Sequence, residues 1–164
     1  MSSVLLRRAD ASDWPAIWPI WSSVVRGGDT YTYDPQTSSE TAERMWLGSG
    51  EVWIAQTAES PTPLGIYRIS ANQQGPGAHV ANGSYMVSEA ARGQGIGRQL
   101  VSHSLDRARA LGFRGMQFNA VAATNVHAVA LYLDLGFSTV GIIPGGFHHP
   151  EAGFVDLLVM YRPL

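Results

Sequence analysis

The chain predicts a mixed α/β (α+β) domain in which a central sheet of about seven strands is flanked by four helices. Two patterns carry this expectation. Segments with apolar residues at spacings of three and four alternate with shorter apolar runs bounded by Gly, Pro and polar turns. Their order is strand, two helices, three strands, helix, strand, helix, two strands, which sets an antiparallel meander ahead of parallel units. A length of 164 residues, 45% apolar and 15% charged, suits one domain over 1–164 that closes its own core. It argues against a disordered chain or a coiled coil.

Val4–Arg8 reads as the first strand. After a break at Ala9–Asp13, Ser12 or Asp13 is placed to cap a helix that carries Pro15 in its first turn. Trp14, Ile17, Trp18, Trp21 and Val25 form an apolar stripe. It predicts core packing, with one or two of the tryptophans as alternative pocket walls. Gly27-Gly28 ends this helix, Asp29–Ser39 is a polar connection, and Ser39–Leu47 is a second, shorter helix. Glu51–Gln56 and Leu64–Ser70 are strands joined by a turn with Pro61 and Pro63. Asn72–Ala78 is a hairpin loop before the strand His79–Val87. Gly97–Leu111 is a helix with Leu100, Val101, Leu105 and Ala108 on one face and Gly112 as its stop. Met116–Val121 is a strand, and Asn125–Leu135 is a helix stopped by Gly136. Ser138–Ile143 and Phe154–Tyr161 are the last strands, with His148-His149-Pro150-Glu151 in the loop between them.

Lys and Arg number 11 against 13 Asp and Glu, a formal net charge of −2. No whole-protein basic field therefore gathers nucleic acid or anionic membrane. The chain has no cysteine, which removes disulfides, thiolate catalysis, iron–sulfur clusters and most structural zinc. The start, Met1-Ser2-Ser3-Val4-Leu5-Leu6-Arg7-Arg8, lacks a signal-peptide pattern, and no long apolar window reads as a membrane span. A soluble cytoplasmic protein is expected.

The most informative stretch is Tyr85-Met86-Val87-Ser88-Glu89-Ala90-Ala91-Arg92-Gly93-Gln94-Gly95-Ile96-Gly97-Arg98. It ends a strand, turns on three glycines and starts a helix. Glycine admits positive φ and close approach to bare backbone. The first N–H groups of a helix lack internal partners, and the helix dipole adds positive character there. Such a turn is an anion cradle suited to a pyrophosphate, with Arg92 and Arg98 adding charge. An NTPase loop is excluded by the missing Gly-Lys-Ser/Thr. The dinucleotide fingerprint is excluded by the Gly-x-Gly-x-Gly spacing and the absence of a following carboxylate. A plain glycine turn is the remaining alternative.

Arg92-Gly93-Gln94-Gly95-Ile96-Gly97 resembles the Arg/Gln-x-x-Gly-x-Gly/Ala motif of the GCN5-related N-acetyltransferases (GNAT). Asn125, Ala128, Leu131-Tyr132 and Gly136-Phe137 resemble that family's second signature, Asn-x-x-Ala-x-x-Leu-Tyr-x-x-x-Gly-Phe. The resemblance spans essentially the whole chain and implies acetyl-CoA as co-substrate. It places the pyrophosphate on the turn from Arg92 to Gly97, with Arg98 beside it, and the pantetheine arm along Tyr85, Met86 and Val87. It implies a hydrogen bond from Asn125 to the cofactor and a proton from Tyr132 to the leaving thiolate. Asn125 and Tyr132 stand seven residues apart, two turns along one helix face. A core aromatic with a satisfied hydroxyl is the structural alternative for Tyr132.

Several family members, including those resembling phosphinothricin acetyltransferases, carry a Glu general base ten residues before the position of Arg92. Here that position is Asn82, which cannot take a proton. Asn82, Asn119 and Asn125 resemble a three-asparagine arrangement of the L-azetidine-2-carboxylate (proline-analogue) N-acetyltransferases. That likeness implies acceptor binding by Asn82 and Asn119; strand-end hydrogen bonding is the alternative. Trp21, Tyr31, Tyr33 and Phe147 read as core or as an aromatic wall, and Phe147 or His148 as acceptor lining. Asp156 reads as a pocket-orienting group or a turn cap. No metal site is expected. The implied activity is N-acetylation of a small amine or amino-acid-like acceptor, with a second copy of the chain as partner. A non-catalytic acyl-CoA-binding module and an acetyltransferase of protein amines are the alternatives.

Overall fold

The computed structural model describes residues 3–164, so the leader-free reading of Met1 and Ser2 lies outside the described residues. Seven strands form one sheet in the order β1-β2-β3-β4-β5-β7-β6. The strands are β1 (Val4–Arg8), β2 (Glu51–Thr57), β3 (Gly65–Ala71), β4 (Val80–Val87), β5 (Gly115–Ala122), β6 (Ser138–His149) and β7 (Gly153–Pro163). The helices are α1 (Trp14–Gly27), α2 (Ser39–Leu47), α3 (Ile96–Ala110) and α4 (Val126–Asp134). β1 to β4 form an antiparallel meander. Only β4 and β5 run parallel, because β7 inserts antiparallel between β5 and β6. The expected run of parallel units thus reduces to one pair.

Strand alternation builds two cores from one sheet. Ile54, Ile66 and Met86 pack under Ile17, Trp21 and Val25 of α1 and Trp46 of α2. Tyr67, Met116 and Phe118 pack under Leu100, Val101, Leu105 and Ala108 of α3. The tryptophan stripe is core: Trp14 and Trp21 are buried and Trp18 stacks on Trp21 at 5.6 Å.

Two local readings need correction. Asp13 stands at the N-cap position of α1, as one of the two candidates, but makes no side-chain cap bond to that helix. The capping hydrogen bonds lie one turn earlier, where the Asp10 carboxylate accepts from Ser12 N–H at 2.8 Å and Asp13 Oδ2 accepts from Asp10 N–H at 2.9 Å, a capping box over a 3-10 turn at Ala11–Asp13. Asp13 also clamps Arg7, at 2.6 and 2.9 Å. The last two strands are longer than expected, so the predicted loop is mostly ladder. β6 crosses Pro144-Gly145-Gly146 through a register shift between Ile143 and Phe147. Gly145 takes φ +59 there, and its N–H is held by Asp156 Oδ1 at 3.0 Å. Asp156 is therefore a bulge cap.

Candidate active site

The turn between β4 and α3 is an open cradle of main-chain N–H groups. Gly93 and Gly95 have φ of +75 and +76, and a Cβ on either would meet nothing within 4 Å. Conformation demands glycine at both, and space is left above them. Gly97 has no such φ, and a Cβ there would make ordinary contact with Leu131 and Val87, at 3.7 and 3.9 Å. The first α3 hydrogen bond runs from Gln99 N–H to Gly95 O, so the N–H groups of Ile96, Gly97 and Arg98 have no helical acceptor. Arg92 is exposed and makes no ion pair among the described residues. Arg98 is committed: its guanidinium binds Asp134 at 2.5 Å and ties the start of α3 to the end of α4. The Gln94 side chain folds back onto Ala90 O at 2.9 Å.

β4 supplies an open edge next to this turn. It pairs with β5 only at Val80↔Gly115 and Ala81↔Met116, and beyond that the two strands separate. The hydrogen-bond phase follows from Asn72 N–H to Val80 O and Ser88 N–H to Leu64 O. Even-numbered β4 residues bond toward β3, and odd-numbered ones turn their main-chain groups to the gap. Tyr85 and Val87 therefore face the gap. Met86 does not, since its main chain belongs to the β3 ladder and its side chain is buried. The Tyr31 hydroxyl already holds both main-chain groups of Tyr85, donating to its carbonyl at 2.7 Å and accepting from its N–H at 2.8 Å. Burial raises the Tyr31 hydroxyl well above its usual pKa, which keeps the donated proton in place. The Tyr85 side chain is spent elsewhere, on Ser104 Oγ at 2.7 Å.

α4 brings Tyr132 to the same gap. Its ring packs on Phe118, with centroids 4.5 Å apart, and lies 6.3 Å from Tyr85. Among the described residues its hydroxyl forms no hydrogen bond, unlike those of Tyr31, Tyr67 and Tyr85. Burial raises its pKa, so it is a protonated donor without an acceptor. Asn125 is the N-cap of α4: its Oδ1 accepts from Ala128 N–H at 3.4 Å, which leaves its Nδ2 to donate.

Asn82 and Asn119 occupy one face of neighbouring strands without touching. Asn82 Nδ2 donates to Gln117 O at 3.0 Å, Gln117 Nε2 donates to Asn119 Oδ1 at 2.9 Å, and Asn119 Nδ2 donates to Asn72 Oδ1 at 2.6 Å. Asn82 Oδ1 accepts nothing among the described residues, so it can take an N–H. On the same side, a cavity of about 280 Å³ opens between the α1–α2 connection and the β6 bulge, lined by Tyr31, Thr32, Tyr33, Pro35, Phe147 and His148 among others. Trp21 stands behind Tyr33, 5.4 Å away. His148 stacks on Phe154 at 4.7 Å, whereas His149 Nδ1 caps the β6–β7 turn by accepting from Glu151 and Ala152 N–H at 3.1 and 3.0 Å.

Residues 14–137 match the acetyltransferase (GNAT) family. The chain belongs to that family. It is 37% identical to N-acetyltransferase aca1 of Schizosaccharomyces pombe over 80% of this chain and 71% of that protein. Its fold matches a GCN5-related N-acetyltransferase from Kribbella flavida with a TM-score of 0.93, at 45% identity and 98% coverage of both chains. It also matches a phosphinothricin acetyltransferase from Sinorhizobium meliloti in complex with acetyl-CoA, with a TM-score of 0.83 at 29% identity, over 100% of this chain and 89% of that one.

This GNAT chain is accordingly an acetyltransferase with acetyl-CoA as donor, and its own geometry fits that donor. The N–H cradle, the uncommitted Arg92, the open edge at Val87 and the free Tyr132 hydroxyl line one path from turn to gap. Sequence reasoning missed the Tyr31 hydroxyl on Tyr85, because 54 residues separate them. It also missed Gln117 as the link between Asn82 and Asn119, since a half-buried glutamine in a strand carries no signal.

Proposed function

We propose that the chain acetylates the amine of a small molecule by direct attack on the thioester of acetyl-CoA. The observation that carries this reading is the gap beside β4. A donor-rich cofactor path enters it from one side, and Tyr31, bonded to Tyr85 of β4, also lines an aromatic cavity of about 280 Å³. The turn from Arg92 to Gly97 receives the pyrophosphate and the main chain of Val87 the pantetheine arm, while Asn125 Nδ2 donates to the cofactor. A main-chain N–H at Tyr85 or Val87 stabilises the oxyanion; at Tyr85 this requires Tyr31 to give way.

The acceptor nitrogen attacks as the neutral amine. Its N–C bond forms to give the tetrahedral oxyanion, its surplus proton leaves to water, and the oxyanion collapses as the C–S bond breaks; the thiolate takes a proton from Tyr132, which regains one from water. Asn82 Oδ1 accepts an N–H of the attacking amine, and Asn119 holds Gln117 and Asn72 in line behind it. Neither amide titrates, so the site works by orientation, which can supply roughly 7–11 kcal/mol. The test is a panel of amines and amino acids assayed with acetyl-CoA for released thiol. Turnover with at least one small amine is expected, and turnover confined to protein amines refutes the reading.

The proposal includes a homodimer working in the cytoplasm. β6 is one of the two edge strands of the sheet and carries no Asp, Glu, Lys or Arg to blunt its edge. Val140, Ile142 and Ile143 on it, and Phe154 on β7, are exposed, and an isologous contact would cover them. No helix among the described residues is long and apolar enough to cross a membrane.

A further inference from the structure

The gap beside β4 is open at the glycine turn and stopped further in. Beyond Ala81↔Met116 no β5 residue pairs with β4 among the described residues, so the odd-numbered main-chain groups of β4 are free to hold an extended arm. From the turn, that run of free groups ends at Val87. At Tyr85 both groups are already taken by the Tyr31 hydroxyl, at 2.7 and 2.8 Å. A phenol oxygen at that distance stands where the atoms of a neighbouring strand would stand. It leaves no room for a carbon chain, whose atoms need about 3.5–4.0 Å from each neighbour.

The stop is braced from behind. The Tyr31 ring stacks on Tyr33, 5.5 Å away and 4° from parallel. Tyr33 lies 5.4 Å from Trp21, which is buried in α1. On the α4 side of the gap Tyr132 packs on Phe118, and Phe118 stacks on Phe137 at 4.4 Å. Swinging Tyr31 aside would leave a partly buried N–H and C=O without their partner. Burial raises the Tyr31 hydroxyl, and Tyr132 is the first neighbour that raises it further. The two phenols thus stand near one another, and both keep their protons.

We propose that Tyr31 sets the length of the acyl group this chain accepts, by closing the β4 gap past Val87 so that acetyl fits and longer acyl chains do not. This rests on the proposed donor path, which lays the pantetheine arm at Val87 and its sulfur beside Tyr132. The acyl carbons then lie between Tyr132 and Tyr31, and each added methylene is driven against a braced ring. Tyr31 is in this role a specificity determinant for the donor, whatever the acceptor.

The test is calorimetric binding of CoA, acetyl-CoA, propionyl-CoA and butyryl-CoA to wild type, Tyr31→Phe and Tyr31→Ala, with no acceptor present. Wild type should bind butyryl-CoA about tenfold to two-hundredfold more weakly than acetyl-CoA, the range over which a fitted pocket discriminates a methylene. Tyr31→Ala should remove that difference and leave the affinity for CoA itself unchanged, because the pyrophosphate sits at the glycine turn. Tyr31→Phe keeps the ring packing and loses only the oxygen, so it should recover propionyl-CoA before butyryl-CoA, and it decides the matter where Tyr31→Ala does not fold. Equal affinity of wild type for acetyl-CoA and butyryl-CoA overturns the inference with no variant needed. An unchanged acyl preference in the variants overturns it too, as does a loss of CoA affinity as large as that of the thioesters, since a structural residue moves all four together. Failure of wild type to bind any of the four overturns the donor path itself and the proposed function with it.

Discussion

Replacing Glu51 by Gln should destabilise the fold by about 3 kcal/mol at neutral pH, and the loss should fade in acid. Glu51 opens β2 with a side chain only 9% exposed. Arg107 of α3 grips it with Nε and Nη2, each at 2.8 Å, Trp53 Nε1 donates at 3.0 Å, and Arg8 stands at 3.5 Å. The Arg107 hydrogen bonds are the largest cause holding the Glu51 carboxyl at about 2 instead of 4.5, against a desolvation effect of opposite sign. Each pKa unit is about 1.4 kcal/mol, and a depression of that size gives the quoted figure. A carboxyl with a depressed folded-state pKa stabilises fully above its unfolded value. The stabilisation is therefore complete above pH 4.5 and drains as pH falls toward about 2. Urea unfolding of wild type and Glu51→Gln at pH 7, 5, 4 and 3 isolates this term, because other titrating groups cancel in the difference. A difference that stays constant with pH would refute the electrostatic reasoning and leave only packing.

Four further outcomes are expected. Gly95→Glu places bulk and negative charge over the cradle and should abolish measurable acetyl-CoA binding by calorimetry; Gly95→Ala controls for the strain at φ +76, and unchanged affinity in Gly95→Glu sinks the pyrophosphate assignment. Tyr132→Phe removes a hydroxyl with no partner among the described residues, so melting temperature should hold while turnover drops about 10²–10⁴-fold; wild-type turnover means water protonates the thiolate. Asn82→Ala and Asn119→Ala should each lower kcat/KM for the acceptor, Asn82→Ala more, because only its Oδ1 is open; a change confined to the acetyl-CoA parameters moves both to the cofactor site. Wild type should sediment as the proposed dimer and Ile142→Lys as a monomer; a monomeric wild type refutes the dimer, and an Ile142→Lys dimer places the interface elsewhere.

Local chemistry made most of the fold legible. The α3 and α4 stops at Gly112 and Gly136, the apolar stripe of α1 and the glycine turn each depend on residues close in sequence, and each was readable. The β6–β7 hairpin was not, because Pro144-Gly145-Gly146 carries the composition of a loop. The structure spends it on a bulge inside a ladder, held by Asp156 eleven residues on. Arg98 and Arg92 looked alike as charges beside a turn; only the return of α4 past α3 commits Arg98 to Asp134. Asn125 read as a cofactor ligand, and its N-cap role was hidden by the same motif. Pairings between distant segments, such as Tyr31 with Tyr85 or Arg107 with Glu51, have no local signature.

On the proposed function, the position of Tyr31 makes the acceptor and cofactor sites one mechanical unit. Its ring stacks on Tyr33, 5.5 Å away and nearly parallel, and both line the acceptor cavity. Its hydroxyl is bonded to both main-chain groups of Tyr85 on the strand that borders the cofactor gap. A rigid aromatic ring fixes the distance between those two attachments. The cavity wall is therefore indexed to β4 itself, and not to the mobile end of a side chain. Moving the α1–α2 connection by an ångström would break two hydrogen bonds worth about 0.5–1.5 kcal/mol each and leave buried backbone groups unpaired. In the proposed reading, acceptor geometry is in this way held to the strand that orients the thioester, and catalysis by placement depends on the two substrates sharing one frame.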